Sequence, residues 1–415
     1  MKLKAKHLLY FCVAALTCSA ALPGQARAIY LASRNDGRGS GSPTDPYDGA
    51  SADRYDAILA RYPASTDFHY AAGVYQSHGY YYQHENIHAG CRHFGAGVDK
   101  TVIRLVAPNH GSAASGLLFG ADYNQSADGF EMHNLTLDCN ATHNPVFEKG
   151  LGAVGAVNIQ GNNLLFQNMK IVGFGTGKQG TECFAFFSYP GEYWKGKTFQ
   201  NIKLDHVTFT AAARGNRDGT TVTTVYASEG VNVQNTQIVN CEFLDLDAEF
   251  TYVHALGALY NENNLVRNCT EGGYFETADH QDRTFVFKNN TYQNVRKAVY
   301  INCHPNASIG KIIFDNNKVS LRPDIPNNAA VGLNDAGIQP GQTPDRIGSI
   351  EFENNTVYLA SYGEFSSLCR ALSLQSAGRH YSIGQVVASG NKVSGLPTGQ
   401  PYYIQADLVG KLSIH

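Results

Sequence analysis

The chain has 415 residues, with 32 Lys and Arg against 35 Asp and Glu, a formal net charge of −3. That balance is a poor match to nucleic acid, whose binding rests on Lys and Arg neutralising phosphates. The first 28 residues hold four of the basic residues and no acid, so the remainder carries 28 basic against 35 acidic residues, or −7.

Lys2, Lys4 and Lys6 precede an apolar run from Leu8 to Leu22, and Ala26-Arg27-Ala28 follows it. This order of charge, short apolar stretch and small-x-small site predicts a secretory signal peptide over 1–28, too short and wrongly flanked to span a bilayer. The mature chain then starts at Ile29 and is exported, extracellular or periplasmic. No later stretch is long and apolar enough to cross a membrane. The expectation is one domain over 29–415, a monomer, with a cap and first strands over 29–110 and repeating coils over 111–415.

Ser33 to Asp48 is rich in Gly, Ser, Pro and Asp and reads as an exposed loop. Ser51-Ala52-Asp53 then opens an amphipathic stretch to Tyr62 with apolar residues at helical spacing and acids in its first turn. A short capping helix is predicted there, followed by strands over 67–75 and 101–106.

From Met132 to Val393 one phrase recurs: an apolar residue, a variable one, an asparagine-like anchor, a polar residue, then alternating apolar positions. The anchors are Asn134, Asn168, His206, Asn240, Asn268, Asn289, Asn316, Asn354 and Gly390, at intervals of 34, 38, 34, 28, 21, 27, 38 and 36 residues. Each copy is a short strand that can hide its apolar side only against the copies before and after it. Stacked strands about 4.8 Å apart make a parallel sheet, and no helical pattern lies between most copies to form βαβ crossovers. An all-β, single-stranded parallel β-helix with an N-terminal capping helix follows. The anchors are expected to form a corner ladder, each amide bonding backbone of the next turn, since Asn tolerates the left-handed region.

The succession of a Gly/Ser/Asp loop, a capping helix, Ala72-Gly73-Val74-Tyr75 and then Gly95-Ala96-Gly97-Val98-Asp99-Lys100-Thr101-Val102-Ile103-Arg104-Leu105 resembles the start of pectate-lyase-like (pectin lyase-like) right-handed β-helix proteins. With the Asn-Asn turns, the resemblance covers essentially the whole chain after the leader. It implies a right-handed coil and leaves activity open, because lyases, hydrolases, epimerases and non-catalytic surface proteins share this architecture.

Candidate chemistry comes from a second strand in each turn, aligned by its alternation over 156–161, 250–255, 273–277, 298–302, 331–335 and 372–376. One column then contains Tyr252, Tyr274 and Tyr300, and the next His254, Glu276, Asn302 and Asn334. Stacked tyrosines offer flat surface to sugar rings, and His254 with Glu276 supplies ionisable groups one strand spacing apart. The loop after Glu276 adds Asp279, His280, Asp282 and Arg283, and His304 follows Asn302 by two residues. The catalytic candidates are Tyr274, Glu276, Asp279, His280, Arg283 and His254. The substrate-binding candidates are Tyr252, Tyr300, Asn302, His304, Asn334 and Trp194, the only tryptophan. A purely structural tyrosine stack beside a solvated ion-paired turn reads equally well.

Three chemistries and one binding role stay open. A lyase needs a base and a cation at a uronate carboxylate, for which Tyr274, His254 or His280 with Arg283 would serve. A hydrolase needs paired carboxyls, and Glu276 with Asp279 or Asp282 is that pair. The order Tyr274, Asp279, His280 is similar to the Tyr…Asp-Pro-His stretch of β-helix mannuronan C5-epimerases, although here the proline is missing and the spacing differs. The expected partner in each case is an acidic polysaccharide, with β-elimination leading; the other class is a non-catalytic glycan-binding or surface protein.

No cofactor is expected. Asp245, Asp247 and Glu249 are an oxygen-rich turn that could take Ca²⁺, but without a Gly-containing loop pattern they read better as a solvated turn. Of nine cysteines, seven lie beyond the leader without metal-ligand spacing. Cys241 and Cys269, each one place after an anchor, are expected to stack as buried thiols.

Overall fold

The computed structural model describes residues 26–415 apart from 63, 81–84, 107–114, 123, 144–152, 175–183, 186–195, 212–221, 224–231, 247–257, 278–282, 304–307, 324–327, 336–344, 360–362, 365, 376–380 and 397–400. The chain winds as a parallel β-helix. A representative coil has three strands, Lys297–Cys303, Ser308–Asp315 and Lys318–Leu321, before Ala329–Asp335 begins the next. The second and third strands of successive coils join one 23-stranded sheet, and the first strands of the C-terminal coils form a separate five-stranded sheet. Register is continuous: Phe287 pairs with Phe314, Phe314 with Phe352 and Phe352 with Ala388. Period two puts these residues inside, where Phe314 and Phe352 stack at 5.5 Å with ring planes 3° apart.

The first coils are closed by the helix Ala52–Arg61, which begins after Ser51 as the amphipathic pattern predicts. It buries Tyr55, Ile58 and Leu59, and the Tyr55 and Tyr70 hydroxyls lie 3.2 Å apart. The loop before it folds around buried Asp48, whose carboxylate accepts from the backbone N–H of Arg34, Asn35, Gly37 and Ala50 and from Arg54 Nη1 at 2.6 Å. Arg27 and Ala28, at the end of the expected leader, already pair with Thr66 and Asp67. Residues 1–25 lie outside the described residues. Among the described residues no helix is long and apolar enough to cross a membrane.

All nine expected anchors have positive φ, between 53° and 64°. Two details differ from expectation. Register places Asn263, not Asn268, between Asn240 and Asn289, because Val239 pairs with Glu262 and Glu262 with Lys288. The corner intervals there are thus 23 and 26 residues. Asn268 repeats the phrase at a second corner, in line with Asp245 and Asn294, where its amide donates to Asp245 Oδ1 at 2.9 Å. The backbone ladder, moreover, belongs to the residue after the anchor. The left-handed anchor faces outward and reaches side chains, as Asn316 Nδ2 does to Asn289 Oδ1 at 2.7 Å.

The next residue returns inward and is buried in every coil but the last, where Asn391 is partly buried. Asn264, Asn290, Asn317, Asn355 and Asn391 each accept, at Oδ1, the backbone N–H of the preceding coil's equivalent residue, at 2.7–2.9 Å. Their amide nitrogens donate to the carbonyls of Ile238, Asn261, Phe287, Phe314 and Phe352 on that same coil. The same shift separates the two cysteines. Cys241 occupies the ladder position facing Asn264, whereas Cys269 sits at the second corner with its thiol directed at the Phe243 and Arg267 carbonyls. They do not stack, although both are buried.

Candidate functional site

The five-stranded sheet comprises Tyr274–Thr277, Lys297–Cys303, Ala329–Asp335, Arg370–Leu374 and Tyr402–Ile404. Its strands form because alternate positions are apolar. Phe275, Ile301, Leu333, Leu374 and Ile404 are in one register column, and Ile301, Leu333 and Leu374 are buried in the core. The neighbouring column, on the opposite face, runs Tyr274, Tyr300, Gly332, Ser373 and Tyr403. A further column runs Glu276, Asn302 and Asn334. The tyrosine row therefore breaks at Gly332 and resumes at Tyr403.

That break is a hollow. A cavity of about 230 Å³ opens over Gly332, lined by Arg296, Lys297, Tyr300, Ser373 and Gln375 among others. A second of about 200 Å³, lined by Asn328, Leu368, Arg370, Tyr403 and the same Ser373 and Gln375, adjoins it along the coil axis. The lysine stem lies across Gly332 at ordinary contact distance: a Cβ there would be 3.5 Å from Lys297 Cδ. Lys297 Nζ ends 3.3 Å from the centroid of the Tyr300 ring, in cation–π geometry.

Lys297 is only 8% exposed. Burial pulls its ammonium down to about pKa 8, helped by the like charge of Arg296 and opposed by Glu271. Arg296 Nη1 lies 3.7 Å from Glu271 Oε1. Glu271 pairs with Lys297, Lys297 with Ala329 and Ala329 with Arg370, so one column carries an acid, a cation, a neutral residue and a second cation. Arg370 Nη1 donates to the Cys369 carbonyl at 2.8 Å. A desolvated amine beside an aromatic face, with Arg296 in the same hollow and Arg370 in the adjoining one, can bind a carboxylate and can exchange a proton near neutral pH.

Among the residues nominated from sequence, Tyr300 lines the first hollow. Tyr274, Glu276, Asn302 and Asn334 occupy the sheet positions given above, with side chains outside the described set. Tyr252, His254, Asp279, His280, His304 and Trp194 lie outside the described residues. Arg283 is buried at the start of a strand of the large sheet, its carbonyl accepting from Lys311 N at 2.8 Å, and it lines neither hollow. Asp245, read with Asp247 and Glu249 as a solvated turn, is a second-corner residue with φ 60° whose carboxylate accepts from the Asn268 amide; Asp247 and Glu249 lie outside the described residues.

Sequence reasoning passed over Lys297 and Arg370. Alternation placed these strand starts at Ala298 and Leu372, whereas the strands begin at Lys297 and Arg370. A basic residue immediately before each apolar run was the available signal.

No protein-family model matches the chain, and no curated protein matches it. Solved structures do. A family 28 exopolygalacturonase of Yersinia enterocolitica superposes with a TM-score of 0.54 at 10% identity, covering 94% of this chain and 78% of that one. The surface protein and adhesin PfbA of Streptococcus pneumoniae gives 0.46 at 12% identity, covering 87% and 84%. A mannuronan C-5 epimerase A-module of Azotobacter vinelandii gives 0.37 at 14% identity, covering 93% and 100%. The first likeness agrees with the right-handed parallel β-helix fold.

Proposed function

From this right-handed parallel β-helix as premise, we propose that the protein is an exported enzyme that binds an acidic polysaccharide along the five-stranded sheet and cleaves it by β-elimination. The observation that carries the reading is Lys297, a desolvated amine 3.3 Å from the Tyr300 ring centroid at the wall of an open hollow. A further feature supports it: Arg296 lines the same hollow as the amine and Arg370 the adjoining one, cationic groups of the kind that can neutralise a uronate carboxylate and so acidify the adjacent C–H.

In this reading neutral Lys297 takes the proton α to the carboxylate. The electron pair forms the new double bond, and the glycosidic oxygen leaves with a proton from a second group. Tyr274, His254 and His280, nominated from sequence as the base, are reassigned in this reading as the candidates for that donor.

The test is incubation of the purified protein with a panel of uronate polymers, following absorbance of the unsaturated product and new reducing ends in parallel. Elimination gives both signals. Reducing ends without absorbance would make the protein a hydrolase using Glu276 with Asp279 or Asp282. Saturable binding with neither signal would make it a non-catalytic glycan-binding protein.

A further inference from the structure

We infer that Lys297 captures carbonyl compounds: its amine condenses to an imine with a small 2-oxo acid whose carboxylate is held in the first hollow by Arg296. This goes beyond polysaccharide cleavage and does not depend on it, since the group attacked is a carbonyl and not a glycosidic bond.

An amine adds to a carbonyl when it is neutral, reachable and not engaged by a carboxylate, and desolvation beside a second cation is one way to produce such a lysine. Lys297 is the one buried lysine among the described residues, and it lines an open hollow. Lys170, Lys203, Lys288 and Lys311 each meet a carboxylate oxygen at 2.5–3.5 Å. Lys297 meets none among the described residues: Glu271, one coil before it in its column, lies 3.7 Å from Arg296 Nη1 instead. Burial favours the neutral amine, opposed by Glu271 and aided by the adjacent guanidinium. The Tyr300 ring, with its centroid 3.3 Å from Nζ, keeps the resting ammonium in place until the proton leaves.

The ligand class follows from Arg296, which lines the same hollow. Its contact with Glu271 is longer than a hydrogen bond, so the guanidinium keeps donors for a ligand carboxylate. A carbonyl next to that carboxylate is then presented to the neighbouring residue, Lys297. In the condensation the nitrogen lone pair forms the C–N bond, and the carbonyl π pair moves to oxygen, which takes up a proton. The nitrogen releases its proton, the hydroxyl leaves as water and the C=N bond forms. Tyr300 and Ser373 line the hollow with hydroxyl-bearing side chains that can relay these protons.

The experiment is reductive trapping. The full chain is incubated at pH 7 with glyoxylate and cyanoborohydride, which reduces an imine to a stable secondary amine, and the labelled lysines are located and timed by peptide mass mapping. Lys297 is expected to be labelled about tenfold faster, or more, than the exposed Lys318, Lys392 and Lys411, with the preference lost in denaturant. With uncharged glycolaldehyde that preference is expected to shrink about tenfold. Labelling of Lys297 no faster than the exposed lysines overturns the proposal. An equal preference with both aldehydes overturns the role given to Arg296. Because lysines of one unaltered chain are compared, no variant has to fold, and loss of uronate cleavage would leave the result unchanged.

Discussion

Lys297 and Tyr300 are three residues apart on one strand, and the amine of the first lies 3.3 Å from the ring centroid of the second. The lysine stem that reaches the ring passes beside Gly332, one coil on. A cation kept from water in this way is stabilised by the ring face and by any anion that enters the hollow.

Lys297→Met keeps the stem and removes the charge. Affinity for uronate oligosaccharides is expected to fall about tenfold or more by calorimetry. The denaturant midpoint should move little or rise, since a desolvated cation is lost from a site that a thioether fills.

Titration of Lys297 gives a signed pH effect. Its folded pKa of about 8 lies below the ordinary 10.5, so between these values the unfolded chain holds a proton that the native protein has released. Stability from this group therefore rises with pH through that window. Measured as the difference between wild type and Lys297→Met, unfolding free energy should favour wild type increasingly from pH 8 to 10.5. Carboxylate affinity should fall over the same rise in pH, as the amine loses its charge.

The two asparagines of a corner are expected to respond differently. Asn317→Ala leaves Asn290 N–H and the Phe287 carbonyl without their buried partner, at a cost of about 2–4 kcal/mol. Asn316→Gly keeps a residue suited to φ 55° and loses only an exposed side-chain bond, so about 1 kcal/mol or less is expected. Chemical denaturation of both variants decides it, and a large loss in Asn316→Gly would contradict the assignment of roles.

His93 supplies an acid-side effect. It is buried with Nδ1 2.7 Å from the Tyr70 hydroxyl and its ring stacked on Phe68. Burial, with smaller repulsion from His88 and His133, pulls its pKa down from 6.5 to about 3. Stability from neutral His93 is present above pH 6.5 and is lost as pH falls toward 3. His93→Gln should flatten the pH dependence of unfolding across that range, whatever its effect on stability at neutral pH.

The coil architecture was legible in the sequence because one stacking unit must repeat its apolar spacing and its left-handed corner. Asn289-Asn290, Asn316-Asn317 and Asn354-Asn355 showed both. Two corners per coil can carry the same phrase, which is why Asn268 passed for the residue that is Asn263 in the structure. The sheet bearing the groove was legible in its columns, since alternation alone aligns Tyr274 with Tyr300 and Glu276 with Asn302. Lys297 was not, because its importance comes from a hollow lined by residues of several coils, and spacing within a single strand carries no trace of it. Arg283 is buried beside the start of Thr284–Lys288, an environment that its polar surroundings in the sequence do not show.

The amide rungs from Asn290 to Asn391 tie together the same coils that carry Tyr274, Tyr300, Gly332 and Ser373. The pitch of the groove is consequently inherited from a hydrogen-bonded ruler on another corner. Loops between rungs can lengthen or shorten without altering the distance between Lys297 and Arg370, and the groove itself can grow only by whole rungs.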